Sequence, residues 1–185
     1  MTLRCVVFLF MENKVYKDKR VIHLVAVGAN NEIGANNALL WDIPEDLHYF
    51  RSVTLGNVCL VGRKTAESFP SILKRRILVG VSDSRYNDVI NGIRMMKFKT
   101  ALDCARVYTK PLHTDCIYVI GGQSIYKATE PYVDELLITE IDKEYQEADT
   151  FYNIPDGFEM VDKCAWNTSV NGEKYRFTKW EKLPF

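Results

Sequence analysis

Short apolar runs alternate with helix-like stretches along most of the chain. Residues 21–29 are apolar and rich in β-branched side chains, which predicts a buried strand. Residues 30–37 are rich in asparagine and predict a loop. Pro44 suits the first turn of a helix, and the two acids after it complement the positive end of the helix dipole. A helix is therefore predicted over residues 44–53.

The alternation continues beyond this helix. Strands are predicted at residues 58–61, 77–81, 93–96, 116–120 and 135–141, and helices at residues 64–69, 99–107 and 124–128. Near the end, residues 158–167 and 174–182 flank a Ser-Val-Asn-Gly turn and predict a long antiparallel hairpin. Strands that alternate with helices are typical of an α/β fold with a mostly parallel sheet and right-handed crossovers.

Length and charge limit the partners of the protein. The chain has 185 residues, and its 24 Lys and Arg equal its 24 Asp and Glu in number. This length predicts one domain, which we place at residues 21–185 after an N-terminal extension of unknown role at residues 1–20. A net charge of zero provides no general field for nucleic acid or an anionic membrane, so neither is expected as a partner. The extension is a candidate contact surface for another protein.

Cysteine and histidine patterns argue against disulfides and metals. The five cysteines include no CxxC pair, and the three histidines are far apart with no ligand-like spacing. A disulfide framework, a zinc site and any other metal site are therefore not expected. The apolar run near the start is far shorter than a membrane span. A reducing, cytoplasmic location fits these features best.

One carboxylate of the helix predicted at residues 44–53 lies on its apolar side. At about 100° per residue, Leu47, Phe50 and Val53 share one arc, and Asp46 falls inside it. A charge among apolar side chains is costly, and it usually has a raised pKa or binds a cationic group. Asp46 is thus a candidate functional carboxylate. The alternative is an acid that only complements the helix N-terminus.

Two predicted strands are each followed by glycine and then a helix. Gly62 lies within residues 58–65, and Gly121 and Gly122 lie within residues 117–124. Backbone N–H groups at such turns can bind an anion, and two of them suit a ligand with two or more phosphates. Neither segment matches the GxGxxG dinucleotide fingerprint, and each glycine alone also suits a plain turn.

A pair of arginines, Arg75 and Arg76, precedes the strand predicted at residues 77–81. Such pairs are most often solvated surface charges. The planar fork of arginine also suits bidentate capture of a carboxylate. The sequence leaves both interpretations open.

Five segments together resemble the dihydrofolate reductase family. They are Ile33-Gly34 with residues 40–50 (LWDIPEDLHYF), residues 61–70 (VGRKTAESFP), residues 119–126 (VIGGQSIY), residues 137–141 (LITEI) and residues 149–151 (DTF). Any one of them could arise by chance. All five in this order, spread over residues 21–182, could hardly do so.

The resemblance implies a three-layer α/β fold. In it, a mostly parallel central sheet of about eight strands carries helices on both faces and a C-terminal antiparallel hairpin. The implied enzyme is an oxidoreductase that transfers hydride from NADPH to 7,8-dihydrofolate and gives 5,6,7,8-tetrahydrofolate. This reaction supports one-carbon metabolism and thymidylate synthesis, and antifolates inhibit it. No metal is implied.

The resemblance also assigns roles to residues. Asp46 would hold the amidine-like edge of the pterin, Thr139 would orient Asp46, and Trp41 would close over the site. Tyr126 would approach the nicotinamide. The implied walls of the pterin and benzoyl pocket are Leu24, Ala26, Leu47, Phe50, Phe69, Leu73 and Ile120, with Arg76 at the glutamate tail. The implied cofactor-binding residues are Ala26, Ile33, Gly34, Gly62, Arg63, Lys64, Thr65, Ser82, Gly121, Gly122, Gln123, Ser124 and Tyr126.

Three positions depart from the family pattern. Leu40 stands where proline usually precedes the tryptophan, which predicts a more mobile loop. Ala66 replaces a bulky residue, and Phe69 or another side chain is expected to fill the gap. Near the expected adenosine 2′-phosphate, Arg63 favours NADPH whereas Asp83 opposes it.

Two other functions compete with this interpretation. One is the pyrimidinone reductase of riboflavin synthesis, which also uses NADPH. The spacing of Trp41 and Asp46, together with Thr139, favours folate over a ribityl substrate. The second is a non-catalytic scaffold that retains the fold and binds a partner through residues 1–20. The intact glycine turns and the carboxylate argue against it.

Overall fold

The structure is a computed structural model, and it describes residues 19–184. Its strands are β1 (Arg20–Val27), β2 (Glu32–Gly34), β3 (Val58–Gly62), β4 (Ile77–Val81), β5 (Val89–Ile90), β6 (Ile93–Met96), β7 (Cys116–Val119), β8 (Val133–Ile141), β9 (Thr150–Phe151), β10 (Phe158–Lys163), β11 (Asn167–Thr168) and β12 (Lys174–Lys182). Its helices are α1 (Pro44–Thr54), α2 (Arg63–Ser68), α3 (Phe98–Leu112) and α4 (Gln123–Thr129), and a 3₁₀ turn (Glu130–Tyr132) follows α4.

Ten of these strands form one sheet, in the order β10-β12-β8-β1-β7-β3-β4-β6-β5, with β11 paired to β12. The centre is parallel: β1 pairs with β7 and β8, and β3 pairs with β7 and β4. The C-terminal strands add antiparallel pairs, with β12 between β8 and β10. The predicted α/β class and hairpin are confirmed. The sheet has ten strands rather than about eight, and two of the ten, β5 and β11, are only two residues long and so were not predicted as separate strands.

The central strands have an apolar core on each face. In β3, Val58 and Leu60 pack with α3 on one face, whereas Cys59 and Val61 pack with α1 on the other. All four side chains are fully buried. A strand buried on both faces reads as a continuous apolar run, which is why the sequence showed no alternation here. The result is three layers, with helices on both sides of the sheet.

The structure differs from the sequence-based prediction in three places. The loop predicted at residues 30–37 contains β2, which pairs antiparallel with β9. The helix predicted at residues 99–107 continues to Leu112 and ends at the left-handed residue His113. The hairpin strand predicted at residues 158–167 stops at Lys163 and resumes as β11. These elements depend on tertiary partners, and strands of two or three residues are too short to show a periodic pattern.

Residues 1–18 lie outside the described part of the chain. The predicted extension, its boundary at residue 20 and its partner contact therefore stay predictions. Within residues 19–184, no helix combines the length and the apolar character needed to cross a membrane. In the same range, no group of three His, Cys, Asp or Glu side chains could hold a metal ion.

Candidate active site

Two clefts meet above the carboxyl ends of the parallel strands, where ligands of open α/β sheets usually bind. One contains Asp46 and has a volume of about 1050 Å³; we call it the carboxylate cleft. The other contains Gly62 and Ser82 and has a volume of about 1070 Å³; we call it the polar cleft. Both are lined by Ile33, Asn37, Ala38, Leu39, Thr65, Ser68 and Gly122. Ligands in the two clefts would therefore touch each other.

Asp46 lies in the first turn of α1 and lines the carboxylate cleft. The Thr139 hydroxyl donates a hydrogen bond to its Oδ1 at 2.6 Å. Thr139 is 1% exposed and belongs to β8, paired with Ala26 of β1. Burial raises the pKa of the Asp46 carboxyl, and the hydrogen bond from Thr139 opposes this rise without cancelling it. Among the described residues, no cation contributes to the shift of that pKa.

All eight residues predicted to bind the substrate line the carboxylate cleft: Leu24, Ala26, Leu47, Phe50, Phe69, Leu73, Arg76 and Ile120. Seven of them present apolar surface, which suits a flat aromatic ligand. Ala66 is fully buried and belongs to the same apolar cluster as Phe69, and the filling of the gap beside it stays a prediction. Whether these residues bind substrate stays a prediction.

The arginine pair is split by the backbone. Arg75 has a φ of 60° and lies outside both clefts, whereas Arg76 lines the carboxylate cleft. The Nε of Arg76 donates to the Thr54 hydroxyl at 2.7 Å, and its Nη1 donates to the Lys74 carbonyl at 2.8 Å. Burial lowers the pKa of Arg76, which stays cationic at neutral pH. Its guanidinium lies 5.7 Å from the ring centroid of Phe50, and its binding of a ligand carboxylate stays a prediction.

Tyr126 is buried in the wall of the carboxylate cleft. It extends from α4, lines the carboxylate cleft, and donates a hydrogen bond to the Leu24 carbonyl at 2.7 Å. Its ring contacts those of His23 and Tyr152, with centroids 5.1 and 5.0 Å away. Burial raises the pKa of Tyr126 well above the usual value, so the phenol keeps its proton.

His23 is a positioning group that sequence reasoning missed. It is fully buried in β1, where Nε2 lies 2.8 Å from the Thr129 hydroxyl and Nδ1 lies 3.0 Å from the Tyr152 hydroxyl. The Thr129 hydroxyl donates to the Ile125 carbonyl, so it accepts from Nε2–H, and Nδ1 accepts from Tyr152. Burial lowers the pKa of His23 to about 3, which keeps it neutral. This network joins β1 to α4, and no spacing in the sequence signals it.

The polar cleft is built around closely packed glycines. The Gly62 amide donates to the Gly121 carbonyl at 2.7 Å. A Cβ at Gly62 would lie 2.7 Å from the Ile125 side chain, and Gly121 has a φ of 108°. Side chains are therefore excluded where the ends of β3 and β7 approach each other. Ten predicted cofactor residues line this cleft: Ile33, Gly34, Gly62, Arg63, Lys64, Thr65, Ser82, Gly122, Gln123 and Ser124. The other three, Ala26, Gly121 and Tyr126, line the carboxylate cleft.

Several charged side chains that line the polar cleft already have partners within the protein. Arg63 Nη1 donates to both carboxylate oxygens of Glu67, at 2.7 and 2.9 Å. Asp83 accepts from the Phe98 amide at 3.2 Å, at the start of α3, and still lines the cleft. Lys64 is exposed in the same wall. This set of cations, hydroxyls and amides suits phosphates and ribose.

Trp41 lies outside the lining of both clefts. It is 9% exposed and packs with Ile43, Ile141 and Tyr145, whose ring centroid is 5.5 Å away. Its Nε1 has no partner among the described residues. The structure therefore places Trp41 in the adjoining core, and its role in closing the site stays a prediction.

The loop that carries Ile33 and Gly34 is tied to the chain near β9. The Asp149 amide donates to the Gly34 carbonyl at 3.1 Å, and the Asp149 carboxylate accepts from the Asn36 amide at 2.9 Å. Glu32, only 2% exposed, accepts from the Tyr145 amide at 3.0 Å. Sequence reasoning missed Glu32, because an acid in a polar loop gives no sign that it is buried.

Known sequences resemble this chain over most of its length. The profile of a family described as dihydrofolate reductase matches residues 20–182. The dihydrofolate reductase of Bacillus subtilis (strain 168) is 33% identical over 162 residues, which cover 88% of this chain and 87% of the relative. That of Enterococcus faecium is 32% identical over 167 residues, which cover 88% and 96%, respectively.

A solved structure has the same fold. It is a dihydrofolate reductase from Enterococcus faecalis, described as complexed with NADP(H) and RAB-propyl, and it superposes with a TM-score of 0.79 at 22% identity. The match covers 90% of this chain and 98% of the other. It confirms the predicted fold class.

Proposed function

The chain belongs to the dihydrofolate reductase family, and we propose that it transfers hydride from NADPH to 7,8-dihydrofolate to give 5,6,7,8-tetrahydrofolate. The observation that carries this proposal is the pair Asp46 and Thr139 in an apolar cleft, joined at 2.6 Å and lacking a cationic partner. A pterin presents an amidine-like edge of the right charge and shape. The polar cleft adjoins this one through shared residues, as a two-substrate hydride transfer requires.

The residues of the polar cleft fit a dinucleotide. Arg63 and Lys64 supply positive charge, and Thr65, Ser82, Gln123 and Ser124 supply hydroxyl and amide groups for phosphates and ribose. Gly62 and Gly122 line this cleft without a side chain, where a pyrophosphate needs to approach the backbone closely. When bound, NADPH supplies the hydride. The protein supplies the position of both rings.

Asp46 acts on the proton rather than the hydride. In its ionised form it accepts hydrogen bonds from the amidine-like edge of the pterin, while the Thr139 hydroxyl holds its Oδ1. Its charge is poorly screened in this apolar cleft, so it favours protonation of the ring nitrogen beside the carbon that receives hydride. The apolar walls exclude water and hold the rings in contact. Arg76 pairs with a carboxylate of the glutamate tail.

The size of the two clefts suits small-molecule ligands. We further propose that antifolates compete for the carboxylate cleft, that residues 1–20 contact another protein, and that the enzyme works in the cytoplasm. The four cysteines of the described residues are free, which supports a reducing compartment.

The test is oxidation of NADPH by purified protein, followed by its near-ultraviolet absorbance with 7,8-dihydrofolate as acceptor. We expect turnover with dihydrofolate and none with the ribityl pyrimidinone. Methotrexate at a hundred times its dissociation constant should stabilise the fold by about 2.7 kcal/mol, which a thermal scan resolves. Turnover only with the pyrimidinone would show the riboflavin enzyme instead, and binding of neither substrate would favour a scaffold.

A further inference from the structure

One carboxylate in the polar cleft is shared by two arginines. Glu67 accepts from Arg63 at 2.7 and 2.9 Å, and Nη1 of Arg85 lies 3.8 Å from its Oε1. The side chains of Arg63 and Glu67 are 28% and 33% exposed, whereas that of Arg85 is 54% exposed. Arg63 and Glu67 line the cleft, and Arg85 is not part of its lining. The function proposed above does not use Glu67 or Arg85.

The order of the strands places this group at the far end of the polar cleft. Leu24 and Ala26 of β1 belong to the carboxylate cleft, and β7, β3 and β4 follow β1 in order across the sheet. At about 4.8 Å per strand, the end of β4 lies about 14 Å from the end of β1. A nicotinamide next to the pterin therefore places the adenosine of the cofactor near the ends of β3 and β4, beside Arg63 and Ser82.

NADPH differs from NADH only by a phosphate on the adenosine ribose. A phosphate monoester carries about 1.5 to 2 negative charges at neutral pH, against one on a carboxylate. Its oxygens also suit the fork of a guanidinium. Such a phosphate can therefore displace Glu67 from Arg63, but it must overcome the existing pair to do so.

We propose that Glu67 is a specificity-determining residue: it competes with the ribose phosphate for Arg63, and Arg85 retains Glu67 when Arg63 turns to the phosphate. This inference rests on the proposed function. Arg85 is well placed for the exchange. Its Nε pairs with Asp88 at 2.6 Å, and its amide donates to the Ser82 hydroxyl at 3.1 Å, so its backbone is held beside the cleft while Nη1 points to Glu67.

The exchange predicts effects of opposite sign for the two partners of Arg63. Glu67→Gln removes the competitor, so NADPH should bind about two- to fivefold more tightly, which matches the strength of partly exposed ion pairs. Arg85→Gln leaves Glu67 to Arg63 alone, so NADPH should bind about threefold more weakly. NADH lacks the phosphate, and its affinity should change less than about twofold in both variants. In the Glu67→Gln background, Arg85→Gln should lose most of its effect.

The experiment is titration of each purified protein with NADPH and, separately, with NADH, in the absence of folate, with dissociation constants taken from calorimetry. Asp103→Asn is the matched control. It also removes one acid from an arginine pair, 3.5 Å from Arg106 on α3, but it lies outside both clefts. Asp103→Asn therefore measures how much the affinity for a polyanionic ligand changes when the protein loses one negative charge outside the clefts.

Three results would overturn the inference. They are an unchanged affinity of Glu67→Gln for NADPH, an equal gain for NADPH and NADH, and an equal gain in Asp103→Asn. In each case the wild type still binds NADPH, so the proposed function stands. A wild type that binds neither nucleotide would refute the proposed function and this inference together.

Discussion

The two clefts hold their charges in opposite ways. In the carboxylate cleft, Asp46 is held by the buried Thr139 and is surrounded by apolar walls. In the polar cleft, several charges of both signs lie near solvent, and Arg63 already has a partner in Glu67. The same Coulomb interaction is several times stronger where solvent is excluded. We therefore expect recognition of the pterin edge in the first cleft to depend on one buried group, whereas recognition of the cofactor in the second should be spread over many.

This difference predicts how each cleft responds to change. Loss of the single buried charge should lower kcat/KM by orders of magnitude, and added salt should not alter that loss. Loss of one exposed charge should weaken NADPH binding only a few-fold, and added salt should remove this difference. The variants below test this contrast, in order of decreasing effect.

The largest effect is expected for Asp46→Asn. Without the carboxylate, the pterin nitrogen is not protonated at neutral pH, so kcat/KM should fall by about 10²- to 10⁴-fold. Part of the activity should return in acid, where the substrate carries its own proton. Steady-state rates across a pH series measure both effects. Undiminished turnover at neutral pH would remove Asp46 from the mechanism.

The same variant should not lose stability. Burial raises the folded-state pKa of Asp46, so the folded chain binds this proton more tightly than the unfolded chain. The ionised carboxylate therefore costs stability above that pKa, and the cost disappears as the pH falls through it. Asp46→Asn removes the cost, and its Tm at neutral pH should equal or exceed that of the wild type. A lower Tm would assign the lost activity to misfolding.

A smaller effect is expected for Thr139→Val, which keeps the volume of the side chain and removes its hydroxyl. The hydrogen bond from Thr139 lowers the pKa of Asp46, so its loss raises that pKa further. The acid limb of kcat/KM should then move to higher pH. A hydrogen bond to a charged group contributes about 1.5 to 3 kcal/mol, so kcat/KM at neutral pH should fall roughly tenfold or more. An unshifted acid limb would contradict this link between β8 and Asp46.

The sequence could predict the elements that carry a periodic or continuous apolar pattern of their own. Asp46 was found because a helix has a fixed period, and the period placed one charge on an apolar face. The strand at residues 77–81 was predicted with the bounds that the structure shows, since a buried parallel strand is a continuous apolar run. The strand at residues 93–96 also has its predicted bounds, although the exposed Arg94 interrupts its apolar side chains. β2 and β9 were missed because each is stabilised by the other, and neither carries a pattern of its own.

Polar networks were less accessible to sequence reasoning. His23, Thr129 and Tyr152 are far apart in the chain and meet only in the folded protein. Glu32 resembles any loop acid until the backbone brings the Tyr145 amide to it. Arg75 and Arg76 are neighbours of the same residue type. In the fold, Arg75 has a positive φ and lies outside the clefts, whereas Arg76 lines the carboxylate cleft. A pattern along the chain identifies faces of elements, whereas hydrogen-bond partners depend on how loops pack.

The smallest effect is expected for Lys64→Gln in the polar cleft. Lys64 is exposed there. Hydrogen bonds from Thr150 and the Asn36 amide lower the pKa of Asp149, and the charge of Lys64 adds to this effect. At low ionic strength, the variant should bind NADPH about threefold more weakly than the wild type, and the difference should vanish near 1 M salt, where the Debye length is about 3 Å. Lys163→Gln, on the edge strand β10, makes the same charge change away from both clefts and should leave NADPH affinity unchanged. Salt should leave the Asp46→Asn defect in place, because that carboxylate acts at contact distance in an apolar site. If salt restored both variants equally, the clefts would not differ in the way their charges are screened.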